Sequence, residues 1–206
     1  MDNMEFKRRP WRAHTFLAGV PLRTLERIDL QGGREGMKIE EISLITGFGG
    51  EKEIKLDPLT QSLFWLRGLI GRMFGWDDVP DLITSQSYLT RLSAEDYARS
   101  RVKPGKASGI SRILYLCDDE MLGEIINRTV HCFWVMAVER TSTGYTLWMA
   151  VYVRRLNAFT PIYMALISPV LKWIIYPAFK RSIIKRWAEV FSSASRVPSG
   201  QPANAS

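Results

Sequence analysis

The run Thr129-Val-His-Cys-Phe-Trp-Val-Met-Ala-Val-Glu-Arg140, the turn Thr141-Ser-Thr-Gly144 and the run Tyr145-Thr-Leu-Trp-Met-Ala-Val-Tyr-Val-Arg-Arg155 decide the fold. Both runs are rich in β-branched and aromatic residues and flank a short polar segment, which predicts a long β-hairpin. Its register stays open. Gly144 suits the left-handed position of a type I turn with a bulge, whereas a plain two- or four-residue loop shifts the pairing by one. In the bulged register Cys132, Trp134, Met136 and Val138 share a face with Trp148, Ala150, Tyr152 and Arg154. The other face then carries His131, Phe133, Val135 and Ala137 with Leu147, Met149, Val151 and Val153. Both faces are largely apolar, so the sheet has to be covered on both sides by protein, ligand or partner.

The hairpin leads into Phe159 to Phe179, an apolar stretch whose single charge is Lys172. Thr160-Pro161 is a good helix start, and Pro169 and Pro177 remove helical hydrogen bonds, so the expected helix is kinked into pieces. The stretch is long enough to span a bilayer. Against a span stand the prolines, the central Lys172, and the continuation from Ala178 to Ser192. There Phe179, Ile183, Ile184, Trp187, Val190 and Phe191 form one apolar face opposite Arg181, Lys185 and Glu189. The reading is an α+β fold: a curved antiparallel sheet around a long C-terminal helix, with ligand-sized space between them.

With 206 residues, the chain is long enough for one well-buried domain. The divisions are a basic N-terminal segment 1–14, a single domain 15–192 and a tail 193–206 that is disordered by composition. Met1 to His14 lacks the apolar core of a secretory signal, and Cys117 and Cys132 have neither metal-ligand nor redox-motif spacing. Both points predict a cytoplasmic chain with reduced, buried thiols. Of the net charge of +7, all resides from Arg154 onward, where eight Lys or Arg face one acid, Glu189. Such a patch serves as a solvated helix face or meets anionic lipid, an acidic partner or nucleic acid. No nucleic-acid-binding module is recognisable.

Residues 15 to 46 alternate loosely, and strand and short-helix readings compete. Gly47-Phe48-Gly49-Gly50 lacks the Lys-Ser/Thr of a phosphate loop and reads as a turn. Asp57-Pro58 starts a helix running to about Phe74, with Leu63, Leu66, Leu69, Ile70, Met73 and Phe74 in one arc. Asp77, Asp78 and Asp81 read as loop and capping carboxylates, since no oxygen-rich spacing makes them a metal site. Ser93 to Asp96 forms a capping box ahead of a short helix, Lys103-Pro-Gly105 a turn, and Ile110 to Cys117 a strand. Asp118-Asp119-Glu120 is expected to cap a short helix after it.

The runs Leu122-Gly-Glu-Ile-Ile-Asn-Arg-Thr-Val-His-Cys-Phe-Trp134, Tyr163-Met-Ala-Leu-Ile-Ser-Pro169 with Ile175-Tyr-Pro177, and Phe74-Gly-Trp-Asp77 resemble an uncharacterised domain-of-unknown-function family associated with the START-like, or SRPBCC, superfamily. The resemblance covers Trp11 to Phe191. It implies a helix-grip: a curved antiparallel sheet, two short helices near the start, and a long C-terminal helix enclosing an apolar cavity. That superfamily includes lipid carriers, hormone receptors and polyketide cyclases or aromatases, so the fold does not fix the function.

The motif singles out Glu124, Asn127, Thr129 and His131. They read either as a polar cluster orienting a ligand's polar end or as a hydrogen-bonded network closing a helix-to-strand turn. Trp134, Trp148 and Tyr152 are candidate aromatic walls, Arg154 a partner for an anionic group, and Tyr163 and Trp173 candidate lid residues. The leading reading is a binding domain for a small hydrophobic or amphipathic molecule, with no cofactor or metal. Two alternatives stand beside it. One is a cyclase or isomerase using His131 with Glu124 for acid/base chemistry. The other is a peripheral membrane protein whose basic helix makes transient contact with anionic lipid.

Overall fold

A computed structural model describes residues 2–47, 86–108, 111–126 and 130–191. The expected helix from Asp57 to Phe74, the acids Asp77, Asp78 and Asp81, the turn residues 48–50, Asn127, Thr129 and the tail 193–206 lie outside the described residues.

The fold is α+β. Strands β1 (Leu22–Gln31), β2 (Ala107–Ser108), β3 (Ser111–Leu116), β4 (Glu120–Ile126), β5 (His131–Arg140) and β6 (Gly144–Arg154) form one sheet in the order β1-β6-β5-β4-β3-β2. Every neighbouring pair is antiparallel. The helices among the described residues are α1 (Asp2–Arg8), α2 (Arg12–Phe16), α3 (Ile39–Thr46), α4 (Ala94–Arg99), α5 (Phe159–Val170) and α6 (Tyr176–Phe191), with a 3-10 turn at Tyr88–Arg91. The ambiguous stretch 15–46 thus holds the end of α2, the edge strand β1 and α3.

The β5–β6 hairpin forms where expected, and its turn selects the unbulged register. Thr141 N–H donates to the Gly144 carbonyl at 2.9 Å, and Gly144 is not among the residues of positive φ. Pairing therefore runs His131 with Arg154, Phe133 with Tyr152 and Ala137 with Trp148. The bulged grouping is corrected by one residue: Trp148 and Tyr152 share the face of His131, while Trp134 shares the opposite face with Val151 and Val153. A one-residue change moves every side chain of a strand to the other face.

Asp118-Asp119 also departs from expectation, because β4 follows it rather than a helix. Cys117 N–H donates to the Glu120 carbonyl at 2.8 Å, closing a tight β3–β4 turn. The capping box does form at Ser93, whose hydroxyl accepts from Asp96 N–H while Asp96 accepts from Ser93 N–H. The turn at Lys103 is present too, with Gly105 at φ +88.

Both faces of the sheet are covered by helices. One face packs Phe133, Val135, Trp148, Ala150 and Tyr152 against Phe6, Trp11, Ala13 and Leu17 of the N-terminal segment and Tyr88 of the 3-10 turn. The other packs Ile28, Leu30, Met136, Val138 and Leu147 against Ile39 and Ile42 of α3 and Ile183 and Trp187 of α6. Phe6 and Ala13 are fully buried, so the basic residues of the first helices ride on elements anchored to the sheet.

The C-terminal helix is interrupted between its prolines. One π turn, Leu171–Ile175, joins α5 to α6. Pro169 and Pro177 cannot donate to the carbonyls four residues earlier, and a wider turn between them is a low-cost way to continue the helix. The buried stripe of α6 is narrower than its apolar composition suggests: Ile183 and Trp187 are buried, whereas Ile184 is 44% and Val190 50% exposed. The sheet accepts only the row of residues spaced by four. Trp187 is fixed there by its indole N–H, which donates to the Gln31 carbonyl at 2.8 Å.

Candidate functional site

Among the described residues, the packing on the face of Trp134 leaves space near the strand ends. α6 covers one half, and between the other half and α5 lies a cavity of about 620 Å³. Its sheet wall is Ile125, Cys132, Trp134, Val151 and Val153, and its helical wall Met164, Ile167 and Leu171. These strand residues alternate with ones buried on the opposite face, so a period of two presents an apolar floor here.

Two local features shape the floor and rim. Gly123 stands opposite Trp134 in the β4–β5 pair, and a Cβ there would lie 2.1 Å from the indole, so glycine lets the ring lie across the neighbouring strand. At the rim, the β1–β6 register shifts between Leu22 and Thr24, and Arg23 to Glu26 border the cavity. Such bulges re-aim side chains at a strand edge.

The polar groups of the cavity gather at this rim and along the helix: Arg23, Thr24, Glu26, Ser168, Lys172 and Tyr176. Arg23 and Lys172 are exposed and Glu26 is half-buried, which makes the rim cationic on balance. Burial raises the Tyr176 phenol above its ordinary range, and a hydrogen bond with Thr24 partly opposes it. Burial also pushes the Cys132 thiol up to about 12. A thiol this protonated is a wall atom and a poor nucleophile.

Glu124 and His131 lie on the opposite face and meet each other directly. Glu124 Oε1 accepts from His131 Nε2 at 2.8 Å and from Tyr88 N–H at 2.8 Å, while Ser87 donates its hydroxyl to Oε2. Burial alone would raise this carboxyl, but the His131, Ser87 and Tyr88 bonds outweigh it and hold the group below its usual range. An ionised Glu124 accepts only, which assigns the Nε2 proton to His131; among the described residues Nδ1 has no hydrogen-bond partner. The network ties β4 and β5 to the 3-10 turn. Sequence reasoning missed Ser87 and Tyr88, because they sit in an irregular stretch 36 residues or more from Glu124.

Glu120 shows the same logic across the fold. Its carboxylate accepts from Arg12 N–H at 2.7 Å, Ala13 N–H at 2.8 Å and the Tyr115 hydroxyl at 2.6 Å. A carboxylate at a helix start is what the sequence suggested, but the helix is α2, more than a hundred residues away. Burial raises the Glu120 carboxyl despite these donors.

The remaining candidates separate. Trp148 is fully buried under Phe6, with ring centroids 5.6 Å apart, and its indole donates to Glu139 at 3.3 Å. Tyr152 belongs to the same cluster, its phenol pushed by burial up to about 12. Arg154 stands opposite His131 at the strand end. Trp173 is 73% exposed, with the Lys172 ammonium 5.4 Å from its ring centre. Tyr163 lies on α5, and its side chain is outside the described residues. Of the nominated residues whose side chains are described, Trp134 alone is among those lining the 620 Å³ cavity.

Among the described residues no cluster of His, Cys, Asp and Glu is arranged to hold a metal ion, and no helix is long and apolar enough to cross a membrane. No curated protein and no solved structure matches this chain. Residues 20–178, which take in the sheet, the cavity and the start of α6, match the model described as "Protein of unknown function (DUF2867)", and the chain belongs to that family.

Proposed function

We propose that the protein binds a small amphipathic molecule in the cavity between the sheet and α5, its apolar body against Trp134, Val151 and Val153 and its polar end at the rim. One observation carries this reading: a space of about 620 Å³ with an apolar floor and its polar side chains gathered at the rim and along α5. That volume falls within the ~300–1,000 Å³ typical of small-molecule sites, and a few convergent polar groups in an apolar pocket are what fix a ligand's orientation. The cationic balance of Arg23 and Lys172 against Glu26 favours an anionic or strongly dipolar head group. The arrangement is that of a carrier or sensor, in keeping with the START-like resemblance of the hairpin and C-terminal helix.

The test is titration of the purified chain with a fluorescent long-chain carboxylate, together with native mass spectrometry for a molecule that co-purifies. Saturable binding at one site is expected. Val151→Trp, which fills the floor from a β-sheet position, should abolish it with the circular dichroism spectrum unchanged, and Trp134→Ala should weaken it about tenfold through lost contact area. Binding unaffected by Val151→Trp would place the ligand elsewhere. No binding by the folded wild-type chain would overturn the reading.

A further inference from the structure

The outer surface of the C-terminal arm changes character along its length. On α5 the exposed positions are uncharged: Pro161, Ala165, Ser168 and Pro169. At the π turn Lys172 and Trp173 are exposed side by side. On α6 the exposed positions are Lys180, Arg181, Ile184, Lys185, Glu189 and Val190, three cations against one acid, with Glu189 4.0 Å from the Lys185 ammonium. Positions 165, 169 and 173 are spaced by four, as are Arg181 and Lys185 beyond the π turn, so an uncharged stretch and a basic one follow each other along the arm.

Its features agree with each other. Trp173, exposed to 73%, is the most exposed large apolar side chain of the described residues, and its neighbour Lys172 leans over the ring. An indole on a surface of uncharged residues, bordered by cations, suits the interface of an anionic bilayer. The ring sits at head-group depth, while long basic side chains reach the phosphates. An acidic protein partner would satisfy the cations and leave the uncharged α5 strip without a counterpart.

The strip also borders the cavity. Leu171, Lys172 and Ser168 line the cavity, and Trp173 follows them in the same turns. We propose that α5 and the π turn dock on anionic membrane with Trp173 inserted at the interface, setting the cavity rim against the bilayer from which an amphipathic ligand is exchanged. The docking stands on the arm alone; the exchange rests on the binding reading above.

Co-sedimentation with vesicles of phosphatidylcholine alone, and with about a third phosphatidylserine, tests it. Binding to the anionic vesicles is expected to exceed binding to the neutral ones by more than tenfold and to fall with added salt, since each basic residue near the surface contributes about fivefold. Trp173→Ala should lower anionic binding about tenfold, and Arg181→Glu with Lys185→Glu should abolish it. These side chains face solvent, so the unfolding transition should stay in place. Probe binding in solution should be unchanged in both variants, which keeps failure of docking distinct from failure of the cavity reading. Equal binding to both vesicle types, wild-type affinity in Trp173→Ala, or retention by an acidic polypeptide and by no vesicle would overturn the proposal.

Discussion

Asp96 shows how one side chain locks a loop to the fold. Arg12 donates to both of its oxygens, at 2.8 and 2.9 Å, and this pairing, with the Ser93 bonds, holds the carboxyl at about 2. A carboxyl depressed in the folded state stabilises it at pH values above its unfolded titration near 3.8, and that contribution disappears as pH falls through about 2. Asp96→Asn should therefore cost about 1–2 kcal/mol at neutral pH, discounted for the partial exposure of Arg12, and the gap should close between about pH 4 and 2. Denaturant titrations across that range check it; a gap independent of pH would assign the loss to the capping box. Glu124 tests a different kind of site, because its oxygens accept three donors in the core. Glu124→Gln turns an amide toward one of those donors and should cost about 2–3 kcal/mol. Probe binding to the folded variant should be unchanged, since Glu124 is not among the residues lining the cavity; lost binding or turnover in a stable variant would make this pair functional.

The helix α6 illustrates how an element is positioned by one row of residues. Trp187 is buried on the sheet, stacks with Phe191 at 4.4 Å between centroids and donates to Gln31. A Cβ at Gly33, where φ is +96, would stand 2.8 Å from the indole, so a glycine at that turn leaves room for the ring. Trp187→Ala should destabilise by about 3 kcal/mol, the usual scale for emptying an aromatic core site. Lys185, exposed to solvent beside Glu189, should change stability by less than about 0.5 kcal/mol when replaced by Ala. Equal midpoints in denaturant would mean that the buried row is not the one spaced through Ile183 and Trp187.

For the whole molecule, the consequence of a sheet apolar on both sides is that neither covering layer is dispensable. The N-terminal helices place Phe6, Trp11 and Leu17 over Trp148 and Phe133, and each such side chain contributes about 1.5–3 kcal/mol by burial. Three of them amount to a large fraction of the ~5–15 kcal/mol that holds a domain of this size together. Removal of residues 2–17 is therefore expected to abolish the cooperative thermal transition and to open the sheet to a hydrophobic dye. An unchanged transition would show that this face is covered otherwise.

The sequence by itself determined the elements whose causes are local: the β5–β6 hairpin from its β-branched and aromatic runs, the capping box at Ser93, the turn at Lys103, and a C-terminal helix interrupted between Pro169 and Pro177. It also determined that both sheet faces are covered, because a strand's period of two makes the composition of each face readable. Tertiary structure decided everything that depends on which distant groups meet. The hairpin register followed from turn geometry, which moved Trp148 and Tyr152 away from Trp134. Glu120 caps a helix more than a hundred residues distant, and Glu124 meets Ser87 and Tyr88 rather than neighbours in its own run. The cavity, too, is a tertiary object: it exists because α6 packs on one half of the sheet while the π turn and the β1 bulge leave space over the other, and no local pattern encodes space left between elements.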